Sequence, residues 1–431
     1  MQNNPAAEIV VKTTEDQDTD EVRAFRLRAR EWMKDNLPPR LPHEAGNDFD
    51  DAKLVERDRE IQKKLHAAGF GGHQGITVPV EYGGLGLDQR FEDVFLEEAS
   101  PYRLPWSYGN ATNIAMPCIL GHGTEEQKKK YVRKILDGTH LWAQLLSEPS
   151  GGSDLAGVLT RAEQREDGNW YLNGSKVWTT GGHHCDMGLC LARTDPTVRK
   201  HAGLTMFLVD FHQPGMTVNP IKLVMGGSEF CQEFLDDVVV PDADRLGEVN
   251  GGWKVAQTQL ASERKGMARG WHVGMHRAET SPYIEPNARY GKIAKKLGTE
   301  NDSYTRAMIG ELIVYDAVSD LIGKRINTGL RSGKFHGEAG AIPSLMSSVF
   351  DIDRTKLVSA ICGPEAIASV DEKSANGVGM SRVSTHRIGG GTLETQMNLV
   401  AERHLGLPRE LGPAPDTPFN ELRSNKTAKI A

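Results

Sequence analysis

The hydrophobic period of this chain changes twice along its length, and that restricts the architectures open to it. From about Asp20 to Gly138 the pattern is helical. Val22, Phe25, Ala29 and Trp32-Met33 recur at three- and four-residue steps, as one buried helix face requires. Glycine-rich breaks at 69–75 and through Glu81-Tyr82-Gly83-Gly84-Leu85-Gly86 divide the helices. Gly123-Thr124-Glu125-Glu126 offers a threonine N-cap followed by acids in the first turn. After about Gln144 strand-like runs take over. Trp170-Tyr171-Leu172, Asn173-Gly174 and Lys176-Val177-Trp178 predict a hairpin, with Asn-Gly as its turn. Segments 203–210, 217–221 and 233–240 predict further short strands, with breaks at Pro214-Gly215 and Pro241-Asp242. Strands that follow one another without helices between them point to a compact antiparallel barrel or sandwich. From about Gly252 helices return, at 253–278, 303–332, 345–367 and 393–405, the last ending near Gly406 and Pro408. Long helices with short links imply a bundle.

At 431 residues the chain has room for two or three domains. The expected division is a flexible tail at 1–20, a helical domain at 21–143, a β domain at 144–251, a helical bundle at 252–410 and a tail, rich in proline and charge, at 411–431. A net charge of −7 argues against nucleic acid, which needs a concentrated basic face. The run Lys128-Lys129-Lys130 reads as a solvated helix face. No apolar run approaches the roughly 20 residues that cross a bilayer, so membrane insertion is not expected. The polar, acidic start reads as neither a signal nor a transit peptide, and a cytoplasmic location is expected. Five cysteines with no Cys-x-x-Cys pair fit reduced thiols better than a disulfide framework. His183-His184-Cys185 resembles a metal cluster at first sight, but adjacent side chains on an extended segment point apart, so no metal is expected.

No glycine string lies between a strand and a helix as a Rossmann site demands, which argues against an ordinary nicotinamide enzyme. Glu148-Pro149-Ser150-Gly151-Gly152-Ser153-Asp154 is more informative. Its small residues either bring backbone N–H groups close to a pyrophosphate or form a plain turn, and spacing alone leaves both open. In the third region Ala256, Leu260, Glu263, Met267, Trp271 and Gly274 fall on one helical stripe. A carboxylate on such a face is desolvated, which raises its pKa and suits it to act as a base.

The segment from Gln144 to Asp154 resembles the flavin loop of the acyl-CoA dehydrogenases. Pro79-Val80-Glu81-Tyr82-Gly83-Gly84-Leu85-Gly86 and the stretch from Gly121 to Gln127 resemble that family's first-domain motifs. Asn173-Gly174-Ser175-Lys176-Val177-Trp178-Thr179-Thr180 is similar to its flavin-flanking segment. Gly389-Gly390-Gly391-Thr392 and Ala401-Glu402-Arg403 resemble its closing loop and last helix. The matches run in family order over roughly residues 20 to 410. The resemblance implies an α+β multidomain fold: an N-terminal helical domain, a middle antiparallel β-barrel and a C-terminal four-helix bundle. It implies FAD as cofactor and FAD-dependent α,β-dehydrogenation of an acyl-CoA thioester, as in β-oxidation of lipids, with hydride transfer to the flavin. By position, Gln144, Leu146, Ser147, Gly152, Ser153, Trp178, Thr180, Thr392 and Glu394 would bind FAD. Ser153, Arg264 and Gly390 would meet the substrate. Electron-transfer flavoprotein is the implied acceptor.

The sequence departs from the pattern in two places. Many members carry the catalytic Glu immediately before the Gly-Thr of the closing loop, where this chain has Gly390, so the base passes to Glu263 of the Glu263-Arg264 pair. A Gly at 390 keeps a backbone N–H able to polarise the thioester carbonyl. Many homotetrameric members also donate an Arg to a neighbour's FAD. Here Asn287 stands at that place, although Arg289 lies two residues on, and Ser359-Ala360-Ile361-Cys362-Gly363 replaces the family's Gln-x-x-Gly-Gly. Both a homotetramer and a heterotetramer with a second, related chain are open. So are an oxidase-like enzyme using oxygen and a non-catalytic partner subunit.

Overall fold

The structure, a computed structural model, describes residues 18–39, 49, 51–224, 227–268, 287–335, 337–364, 387–409, 413–414 and 416–422. The first helix, α1 (Asp20–Asn36), buries Val22, Phe25, Ala29 and Met33 as its period predicts, and the Thr19 hydroxyl caps it by accepting from Val22 N at 3.3 Å. Asp18, inside the expected tail, is buried: it pairs with Arg26 at 2.7 Å and with Arg90. Helices α2 (Ala52–Leu65) and α3 (Gln89–Ala99) follow, α3 packing on α1. Phe25 meets Phe70 and Phe91 edge-on at 5.8 and 5.3 Å in this first core. The chain then turns through α4 (Met116–His122), α5 (Glu125–Gln127) and α6 (Arg133–Leu136). The predicted Thr124 cap is a full capping box with Gln127, whose amide also donates to Ala243 O and Arg245 O at 2.8 and 2.9 Å.

Among the described residues eight strands form one sheet: β1 (Trp142–Leu145), β2 (Arg161–Gln164), β3 (Trp170–Thr180), β4 (Met187–Arg193), β5 (Leu204–Asp210), β6 (Met216–Ile221), β7 (Phe230–Val240) and β8 (Arg245–Leu246). The order is β6-β7-β3-β2-β4-β5-β8, with β1 beside β4. This corrects the expected antiparallel barrel in two respects. The sheet is mixed, because β1 and β2 each run parallel to β4, and the strand path is open rather than closed. The long stretch between β1 and β4 supplies the crossover that a parallel pair needs.

The expected hairpin is also corrected. β3 runs unbroken from Trp170 to Thr180, and Asn173-Gly174 falls at a register shift against β7. A Cβ on Gly174 would lie 2.7 Å from Thr160 Cα, so this glycine serves a close approach between backbones rather than a turn. The real turn joins β2 to β3 at Asp167-Gly168, where Gly168 adopts φ 79° and its N–H donates to Arg165 O.

The C-terminal region contains α7 (Gly252–Ala268), α8 (Asn287–Leu297), α9 (Ser303–Arg331), α10 (Ala341–Cys362) and α11 (Leu393–Arg403). Helix α10 packs on α9, α8, α7 and α11, around a small core of Tyr290, Met308, Leu312 and Ile361. The predicted continuation of α7 through Trp271 and Gly274 lies outside the described residues. The expected C-terminal tail is in part docked. Phe419 N donates to Val198 O at 2.8 Å, and its ring covers the Arg193 guanidinium at 3.8 Å, a cation–π contact over an arginine that is otherwise buried.

A single apolar core joins the first helical region, the sheet and the start of α7. It includes Tyr108, Ile119, Trp142, Leu189, Phe207 and Val255, and burying each of the aliphatic and phenyl side chains is worth about 1.5–3 kcal/mol.

Candidate active site

The loop after β1 is anchored by a buried ion pair. Lys176, fully buried on β3, donates to Leu146 O at 3.1 Å, Glu148 Oε1 at 3.0 Å and Leu191 O at 2.7 Å. Burial acts to raise the Glu148 pKa, but Lys176 and the N–H groups of Leu159 (2.6 Å) and Thr160 (2.9 Å) prevail and lower it. All three hydrogens of a buried ammonium are therefore satisfied, which is the condition for burying such a charge at all. Over this base Leu146 is buried, Ser147 half-buried, and Gly152 and Ser153 lie open to solvent. A Cβ on Gly152 would sit 3.1 Å from Ser147 Oγ, so a side chain there would crowd the hydroxyl.

The β3 segment lies directly alongside, since Val177 N donates to Ser147 O at 2.9 Å. At Trp178 the ladder to β7 slips, and the residue adopts φ 66°. That conformation is costly for a bulky side chain and is a bulge feature that re-aims it. Trp178 is 57% exposed, and Phe230 meets it edge-on at 6.2 Å. An exposed indole beside a small-residue loop is the kind of flat surface that a planar ring system covers. Thr180, half-buried, ends the strand.

Glu263 is 9% exposed on α7, which packs on β5 and α4. One turn earlier Gln259, fully buried, donates to Gln144 Oε1 at 3.1 Å. The buried stripe is thus Val255, Ala256, Gln259 and Glu263, with Leu260 half-buried beside it. The Arg264 side chain lies outside the described residues. At the far end Gly390 takes φ 69° and its carbonyl accepts from Gln396 at 2.9 Å, while Thr392 caps α11 and Glu394 is exposed in the first turn. Helix α11 packs on α10 and on the turn Gly337–Gly340, both of which also pack on α7.

The structure therefore brings Gln144, Leu146, Ser147, Gly152 and Ser153 of β1 and its loop beside the end of β3 that carries Trp178 and Thr180, and links Glu263 to them through Gln259. Gly390, Thr392 and Glu394 reach this layer through packed helices. Sequence reasoning missed Gln259 and the Lys176–Glu148 pair. A lysine at the inward parity of a strand, four residues after buried Leu172, was the available signal.

His183 and His184 stand in a 3-10 turn, Gly182–His184, rather than an extended segment. Their rings do not diverge as expected: both Nε2 atoms lie 3.1 Å from Phe49 O, and His183 Nδ1 is 3.0 Å from Cys231 Sγ.

Residues 19–139 match the acyl-CoA dehydrogenase N-terminal domain and residues 143–238 the acyl-CoA dehydrogenase middle domain. Over 424 residues the chain is 31% identical to acyl-CoA dehydrogenase IpdE1 of Mycolicibacterium smegmatis, covering 91% of this chain and 99% of that protein. It is 38% identical over 296 residues to acyl-CoA dehydrogenase FadE34 of Mycobacterium tuberculosis, covering 68% of this chain but 39% of that longer protein. The solved steroid acyl-CoA dehydrogenase Tcur3481-Tcur3483 superposes with a TM-score of 0.73 at 26% identity, covering 91% of this chain and 99% of that one. The ChsE4-ChsE5 complex from Mycobacterium tuberculosis shares the fold, with a TM-score of 0.69 at 22% identity over 91% of this chain and 99% of that one. By these matches the chain belongs to the acyl-CoA dehydrogenase family, whose members are FAD-dependent flavoproteins.

Proposed function

We propose that this chain dehydrogenates an acyl-CoA thioester across its α and β carbons, with Glu263 taking the α-proton. The observation that carries this reading is the placement of Glu263. A carboxylate buried on α7 sits one turn beyond Gln259, which is bonded to Gln144 at the root of the Ser147–Ser153 loop. Bound FAD supplies the hydride acceptor. Gln144, Leu146, Ser147, Gly152 and Ser153 would hold it, with Trp178 and Thr180 beside its ring and Thr392 and Glu394 of α11 completing the site. Ser153, Arg264 and the Gly390 N–H address the thioester, a backbone donor being enough to stabilise charge on its carbonyl oxygen. Burial keeps water from competing for the Glu263 carboxylate.

The proposed division is a helical domain at 21–143, a β domain at 144–251 and a four-helix bundle at 252–410. Likeness to a steroid acyl-CoA dehydrogenase favours a bulky, cyclic acyl group. Asn287 in place of the donated arginine favours a heteromeric assembly in which a second chain completes the adenosine end of FAD, and an electron-transferring flavoprotein is the proposed acceptor.

Glu263→Gln keeps the shape of the side chain and removes the base. Turnover is expected to fall by about 100-fold or more with the flavin retained. Wild-type turnover in that variant would remove Glu263 from the mechanism.

A further inference from the structure

Another buried carboxylate lies behind the bulge, and the proposed reaction does not use it. Glu233, on β7, is fully buried and pairs in register with Lys176 of β3. Its Oε2 accepts from the hydroxyl of Thr179 at 2.6 Å, a diagonal cross-strand contact that skips the slipped residue Trp178. Its Oε1 has no hydrogen-bond partner among the described residues and faces Gly182, where a Cβ would come within 2.6 Å of it. The carboxyl group therefore grips one end of the segment Thr179-Thr180-Gly181-Gly182 and lies against the other, where only a glycine leaves room for it. Trp178 and Thr180 lie on either side of the gripped residue.

We propose that Glu233 is a positioning residue: through Thr179 it holds the β3 bulge in the geometry that presents Trp178 and Thr180 to the flavin. The proposal rests on the reading above that these two residues flank the ring. A left-handed tryptophan persists only where its surroundings over-determine it. The ladder slips at that point, and the Thr179–Glu233 bond supplies a constraint that the slipped ladder does not. A purely structural contact would not need a carboxyl here, because an apolar pair of equal volume packs without the cost of burying polar groups.

Other ionisable groups face this acid. Lys176 comes from β3, though its ammonium is committed to Leu146 O, Glu148 and Leu191 O. Cys231 lies on β7, Cys190 on β4, and Cys185 just beyond the turn carrying His183, which is bonded to Cys231. Burial outweighs the Thr179 bond and the Lys176 charge, so the carboxyl is pushed up to about 7. The bond to Thr179 thus changes character near neutral pH, and a flavin held by the bulge senses it.

The test uses the FAD-loaded enzyme, with its partner chain if one is needed for loading. It compares the visible flavin spectrum and steady-state kinetics of wild type, Trp178→Phe, Glu233→Leu and Glu233→Gln between pH 5.5 and 8.5. Trp178→Phe shifts the flavin band if the site reading holds. Glu233→Leu is expected to shift the same band and to lower kcat about 10-fold with the KM for acyl-CoA unchanged. The wild-type band is expected to titrate near neutral pH, and Glu233→Gln to keep the low-pH spectrum throughout. If Trp178→Phe shifts the band while both Glu233 variants match wild type at every pH, the positioning role is overturned and the site reading stands. An unchanged band in Trp178→Phe overturns both. Should Glu233→Leu fail to fold, the titration decides: loss of the transition in Glu233→Gln supports the role, and an identical transition overturns it.

Discussion

Glu233 and His73 are both buried titratable side chains, and they drive stability in opposite directions as pH rises. Burial lifts Glu233 from its ordinary 4.5 to about 7, so between those values the folded state keeps a proton that the unfolded chain has released. Its contribution is full at about pH 4.5 and is lost as pH rises to about 7, a difference on the order of 3 kcal/mol. His73 is pushed down by burial from 6.5 to about 4, and its contribution is gained as pH rises over nearly the same window. The two partly cancel, so the prediction is a difference: the melting temperature of Glu233→Gln relative to wild type rises between pH 5 and pH 8. A constant difference across that range would show that Glu233 does not titrate in the fold. Glu263 was legible as a carboxylate on an apolar helical stripe. Glu233 was not, because its strand alternates ordinarily and only the slipped pairing with β3 sets it under Thr179.

At the scale of elements, strand β3 supports two separate features. Lys176 points into the core, and two residues on Trp178 is thrown outward at the bulge. Removing the cation alone strands the Glu148 carboxylate, and breaking a buried pair of this kind costs about 3–5 kcal/mol. Lys176→Met is therefore expected to lower the melting temperature by several degrees and to weaken flavin retention, because Leu146 O and Glu148 anchor the loop. Adding Glu148→Gln to that variant is expected to recover part of the loss, since no buried charge then lacks a counterion. Equal melting temperatures for wild type and Lys176→Met would exclude the pair as an anchor. The elements themselves were largely legible: α1, the Thr124 cap, β5, β6, β7 and α9 lie where period and capping residues place them. The Asn173-Gly174 hairpin was misread because a glycine that admits a close backbone and a glycine that makes a turn look alike in sequence. Thr160, the neighbour that distinguishes them, is fourteen residues away.

For the whole molecule, the heteromeric reading predicts that the chain purified alone is folded but holds well below one flavin per chain. It predicts that co-purification with the completing partner brings the ratio to about one. A full complement of FAD on the isolated chain would instead favour a homo-oligomer, with Arg289 or another group serving the interface. Sequence alone determined the succession of helical, β and helical regions, because hydrophobic period is a local property that each segment carries with it. It also determined the family, because motif residues such as those of Glu148 to Asp154 recur in fixed order. Tertiary structure decided what no local pattern encodes: the mixed, open sheet, the burial of Lys176 and Glu233, the left-handed bulge at Trp178, and the docking of Phe419 on Arg193. Each of these depends on partners distant in sequence, and burial or backbone strain is tolerable only once such partners are in place.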